Sequence, residues 1–185
     1  MSADVRATAY HEAAHAVTGF ALGHEIRCVL VNPIKGVRYP GRTERVVSGP
    51  GHPALLSEEC AIVEVIGGLA EIRHDEHWRA DAWHRDDDLK DVQERLRNTG
   101  SGPMRIDAFM KRCDEIAREL LDDEGVWAGI AAVAAHLETT ARQRPDAPTR
   151  FMNMGRVISR AIPQKSLDQI ARVIRGYAAV LNALR

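Results

Sequence analysis

A disulfide framework, a membrane span and a phosphate-binding loop are all missing from this sequence. Its three cysteines, Cys28, Cys60 and Cys113, are an odd number set far apart with no CxxC pair, which argues against structural disulfides and against a thiolate zinc site. They read as buried thiols in a reducing compartment. No stretch approaches the roughly 18 apolar residues of a membrane helix. The start, MSADVRATAYHEAAH, lacks the basic and apolar regions of a signal peptide, so a cytoplasmic protein without membrane insertion is expected. No GxxxxGK(S/T) occurs, which removes the usual nucleotide-phosphate cradle. Charge of one sign is not in excess either. A formal net charge of -1 over 185 residues leaves no strong field for nucleic acid, and no nucleic-acid partner is expected.

The 45% hydrophobic and 28% charged residues describe an ordinary globular chain, long enough for one domain with a core, or one domain with a helical appendage. From Ala3 to Leu22, Ala9, Ala13, Ala16, Val17 and Phe20 recur at helical spacing, and Gly23 is a natural stop. Arg27 to Val31 reads as a strand. A turn-rich stretch with Asn32, Pro33, Gly36, Pro40 and Gly41 leads to a second strand at Thr43 to Val47. After a loop at 48–53, Ala54 to Ile72 reads as a buried helix. The Gly67-Gly68 pair inside it costs about 1 kcal/mol per glycine against alanine and therefore implies close packing by a neighbour or a local bend. His74 to Arg85 reads as a polar loop that contains Trp78 and Trp83, which either line a cleft or anchor the loop. Further helical patterns follow at Asp86–Arg97, Ile106–Leu121, Val126–Leu137 and Ser166–Leu184, with 142–148 as a linker. The expected fold is α+β, mainly helical, with a small N-terminal sheet or hairpin. The expected division is a main domain over 1–144 and a C-terminal helical extension over 145–185, packing on the domain, on a partner or on a second copy.

His11-Glu12-Ala13-Ala14-His15 is an HExxH sequence inside the first helix. A spacing of four puts both imidazoles one turn apart on one side, where they can reach one ion, with Glu12 beside them to hold and activate a water. The chemistry this implies is Zn2+-dependent hydrolysis, with Glu12 taking the proton of the zinc-bound water. Solvent-facing histidines are the bland alternative; the nearly all-alanine surroundings of the pair argue against it. A third ligand must come from elsewhere. On chemistry alone the choices are Asp86, Asp87, Asp88, His84, His77, His74, Glu71 and Glu64, and local reasoning does not rank them.

Thr8 to Val17 resembles the start of the peptidase domain in the FtsH family of ATP-dependent membrane zinc proteases, where the segment reads much like AYHEAGHAL. The likeness continues in order: Val29-Leu30-Val31-Asn32-Pro33 with Gly36 and Gly41, then Gly67-Gly68-Leu69-Ala70-Glu71 beside the family's GGRAAE, then Asp88-Leu89-Lys90-Asp91-Val92 beside its NDLxxAT. It covers about residues 5–140. The resemblance implies a zincin-like metallopeptidase fold, Zn2+ as cofactor, and Asp88 as the third ligand. It also implies that Glu71 accepts a hydrogen bond from a ligand histidine. Ala14 replaces the family's glycine, and Asp87 stands where the family has asparagine, which keeps Asp87 as an alternative ligand. The family's nucleotide-binding and membrane motifs do not occur in these residues.

The expected substrate is therefore a peptide or unfolded segment. The strand carrying Thr43, Glu44 and Arg45 is expected to bind it by adding backbone hydrogen bonds at its edge. A different zinc hydrolase or tailoring enzyme, and a catalytically inactive interaction protein, are the competing readings, because HExxH defines the metal and water chemistry more narrowly than the bond being cut.

Overall fold

Alanine lets helix α1 (Ala3–Ala21) sit at the centre of the protein. Ala9, Ala13, Ala14, Ala16 and Val17 are completely buried, and side chains this short admit neighbours on more than one side. Gly23, in the left-handed region at φ 87°, ends the helix, with the His24 amide reaching back to the Gly19 carbonyl at 2.9 Å. The computed structural model describes residues 3–34, 41–46, 58–74, 87–98 and 100–182.

Strand β1 (Glu25–Val31) follows directly, and β2 (Gly41–Val46) and β3 (Thr149–Met152) flank it in a three-stranded antiparallel sheet of order β2-β1-β3. Val29 lies opposite both Thr43 and Phe151. That row faces inward, whereas Arg42, Glu44, Arg150 and Met152 point to the outer face. A bulge between Ile26 and Cys28 shifts the register, so that β1 keeps an inward row on both sides of the irregularity.

The remaining helices are α2 (Glu58–His74), α3 (Asp87–Asn98), α4 (Pro103–Asp122), α5 (Glu124–Arg142), α6 (Met154–Ala161) and α7 (Gln164–Asn182). Helices α2, α5 and α7 pack on α1, and α4 closes the far side of α2. The largest fully buried side chains come from all of these helices except α3: Ile62 and Ile66 of α2, Phe109, Ile116 and Leu120 of α4, Ile130 and Leu137 of α5, Met154 and Ile158 of α6, and Ile170 and Ile174 of α7. Among the described side chains of α7, Leu167, Ile170, Ala171 and Ile174 are buried. Cys28, Cys60 and Cys113 form no disulfide.

The architecture is mainly helical α+β, as expected. Three elements differ from the sequence reading. Residues 149–152 form β3, completing the sheet from the far end of the chain, and 154–161 form α6. Neither has a strong local signal, since a strand this short is stable only when paired. The helix expected to end at Leu137 runs on to Arg142. Residues Gly36 and Pro40, the loop at 48–53, and His77, Trp78, Trp83, His84 and Asp86 lie outside the described residues. Among the described residues, no helix is long and apolar enough to cross a membrane.

Candidate metal centre

Helices α1 and α3 bring three side chains to one point. His11 Nε2 and His15 Nε2 are 2.9 Å apart, and Asp88 Oδ2 lies 3.1 Å from each. The helical period accounts for the two histidines, and the docking of the first turn of α3 accounts for the aspartate.

Each ring is oriented from behind. His15 Nδ1–H donates to the Val63 carbonyl at 2.6 Å, and His11 Nδ1–H donates to Glu71 Oε2 at 3.1 Å. Both outer partners are pure acceptors, so each neutral ring carries its hydrogen on Nδ1 and turns the Nε2 lone pair inward. With both rings neutral, two nitrogen lone pairs and a carboxylate oxygen face one another, a repulsion that either a proton on an Nε2 or a metal cation relieves.

The electrostatics agree. Burial opposes ionisation of Asp88, yet hydrogen bonding and charge from the two imidazoles hold its carboxyl well below the ordinary carboxylate range. Burial likewise pulls His15 down, but the Asp88 carboxylate outweighs it and His15 ends above the ordinary histidine value. A pocket that binds protons more tightly at an imidazole is a pocket that attracts positive charge.

Gly67 is part of the same arrangement. A Cβ there would lie 2.5 Å from His15 Cε1 and Nε2 and 3.0 Å from His11 Nε2. The glycine that weakens α2 as a helix is what lets its backbone approach the rings. Just beyond Glu71, His74 stacks on Tyr10 with ring centroids 3.9 Å apart. Tyr10 stacks in turn on Trp127 at 5.3 Å, and Arg73 lies over that indole at 4.5 Å. This stack clamps the end of α2 to α1 and α5 and so steadies Glu71 behind His11.

Glu12 is 4% exposed. Burial pushes its carboxyl up, against the pull of His11 and His15 and a hydrogen bond from Thr43. The Thr43 hydroxyl donates to Glu12 Oε2 at 2.7 Å.

Of the other residues singled out by sequence, Glu71 stands behind His11 and Glu64 pairs with Arg45. Glu64 and Glu71 share a face but lie about two helical turns apart, roughly 10 Å, too far to serve one ion. Asp87 opens α3, and its side chain is outside the described residues. Arg45 also meets His24 Nδ1 at 3.4 Å, so its guanidinium is directed into the interior. Glu44 faces the outer side of the sheet near Arg42. The Val63 carbonyl was not foreseeable, because a backbone acceptor leaves no mark in a residue pattern.

The chain matches no model of a known protein family, no curated protein and no solved structure. The reading of the site rests on its own chemistry. Four-coordinate zinc with bonds of about 2.0–2.2 Å sets its ligands about 3.3 Å apart, within a few tenths of the separations found here. Two imidazoles and one carboxylate are a donor set zinc accepts, with a fourth position left for water or substrate. Exposure rises from the His15 side chain at 6% through His11 at 15% to Asp88 at 34%, so the centre opens toward α3. The features shown are those of an HExxH-type, zincin-like metal centre in a mainly helical domain.

Proposed function

We propose that this chain is a zinc-dependent metallopeptidase that hydrolyses peptide bonds in peptides or unfolded segments. The observation that carries the reading is the triangle of inward-facing acceptors His11, His15 and Asp88 with the Glu12 carboxylate buried beside it. Zinc, when bound there, supplies the Lewis acidity that lowers the pKa of a water and polarises a carbonyl. His11, His15 and Asp88 hold the ion, and Glu71 and the Val63 carbonyl keep the two rings from turning away. Glu12 takes the proton released by the attacking water and delivers it to the departing nitrogen.

Two further features favour a peptide over another amide. Strand β2 is at the edge of the sheet, and among the described residues nothing pairs with its outer side. One of its inward residues, Thr43, touches Glu12. An extended chain added to that edge would run past the metal centre, held by backbone hydrogen bonds that are largely indifferent to side chains. The order of motifs that resembles the FtsH peptidases supports the same activity and the same assignment of Asp88.

Purified protein is expected to hold one zinc per chain, lost in His11→Ala, and to degrade fluorescein-labelled casein. Glu12→Gln is expected to keep its zinc and lose about 10²- to 10⁴-fold in turnover. Undiminished cleavage by Glu12→Gln would refute the mechanism, and zinc binding without cleavage by the wild type would refute the peptidase assignment.

A further inference from the structure

A general base with three rotatable bonds and a buried carboxylate works only if that carboxylate is aimed, and two residues of β2 meet it. The Thr43 hydroxyl lies 2.7 Å from Glu12 Oε2 and 3.2 Å from the Glu12 carbonyl oxygen. The hydroxyl has one hydrogen, and the shorter, charged acceptor takes it. Gly41 sits against the other oxygen. A Cβ there would overlap Glu12 Oε1 and would approach Glu12 Cγ to 2.7 Å and the Thr8 methyl to 2.6 Å. One side of the carboxylate is tethered, and the other is left room by a missing side chain.

We propose that Thr43 is a positioning residue for Glu12: its hydroxyl locks the carboxylate in one rotamer through Oε2, leaving Oε1 as the oxygen that carries the proton. Gly41 is required beside it because any side chain would push that carboxylate aside. The kinetic consequence rests on the peptidase reading above; the conformational one does not. Thr43 is then not a substrate contact, since its donor is committed to Glu12, and its inward position opposite Val29 turns it away from the edge at which a peptide would pair. The coupling has a second consequence. Because the same strand offers its outer edge to substrate and its inner face to the base, displacement of β2 changes substrate binding and base orientation together.

The test uses Thr43→Val, which keeps the shape and removes the hydroxyl, and Thr43→Ser, which restores the hydroxyl. In metal-free protein with 13C-labelled glutamate, the Glu12 methylene couplings are expected to report one rotamer in the wild type and in Thr43→Ser, and rotamer averaging in Thr43→Val. With zinc-loaded protein and fluorescein-labelled casein, Thr43→Val is expected to lose roughly 10- to 100-fold in kcat with KM within about twofold and zinc content unchanged, and Thr43→Ser to stay within about threefold of wild type. A single unchanged Glu12 rotamer in Thr43→Val overturns the proposal. So does a raised KM at constant kcat, the signature of a substrate contact, or a Thr43→Ser variant as impaired as Thr43→Val. If the zinc-loaded wild type cleaves nothing, the peptidase reading fails and the rotamer measurement alone decides the positioning role.

Discussion

Replacing Gly67 by alanine pits two effects of known sign against each other. In an ordinary helix the change stabilises by about 1 kcal/mol. At Gly67 the new methyl would stand 2.5 Å from two atoms of the His15 ring, where carbon contacts need about 3.5 Å or more. Either the ring or the α2 backbone must therefore move by about 1 Å. Overpacking of this kind costs typically about 1–3 kcal/mol, so the metal-free variant is expected to be between about 0 and 2 kcal/mol less stable than wild type. The larger effect falls on the metal. A shift of α2 drags the Val63 carbonyl from His15 Nδ1, and a shift of the ring breaks the triangle directly; either is expected to weaken zinc binding by about 10- to 100-fold or more. Urea unfolding of the metal-free protein and zinc titration against a chromophoric chelator read the two quantities separately. Gly176→Ala in α7, where a Cβ meets nothing within 4 Å, is the control and should be stabilised by up to about 1 kcal/mol. If Gly67→Ala also gains about 1 kcal/mol and binds zinc as wild type does, the close approach of α2 to the histidines is wrong.

Asp88→Asn is expected to lower zinc affinity by at least tenfold in the same titration, while Asp87→Asn leaves it within about twofold; the opposite ranking would move the ligand by one residue. Arg45→Met leaves Glu64 without its ion-pair partner at a site where the two side chains are only 12% and 19% exposed. A loss of roughly 1–3 kcal/mol is expected, less than for a fully buried pair. Much of it should return in the Arg45→Met, Glu64→Met double variant, and urea unfolding of the set as a double-mutant cycle checks this. A fully additive pair would mean that the contact contributes nothing.

Part of this protein was legible before any fold was known, because the rules involved are local. Hydrogen bonding from i to i−4 puts His11 and His15 on one side of any helix that contains them, and the alanines around them exclude a solvated role. Glycine inside the buried pattern of α2 signalled a close neighbour, though not which one. A short apolar run with β-branching marked β1, and the apolar spacing of α4, α5 and α7 marked the helices. Tertiary structure alone decided the rest. Eight acidic or histidine side chains had suitable chemistry for a third ligand. The family resemblance singled out Asp88, but its meeting with His11 across 77 positions of sequence depends on how α3 docks, a result of many weak contacts that no local pattern encodes. The same holds for the Val63 carbonyl behind His15, for Arg45 pairing with Glu64, and for Thr43 closing on Glu12. Strand β3 shows the reason in its simplest form: four residues have no conformational preference strong enough to declare themselves, and they become a strand only because β1 supplies the hydrogen bonds they lack.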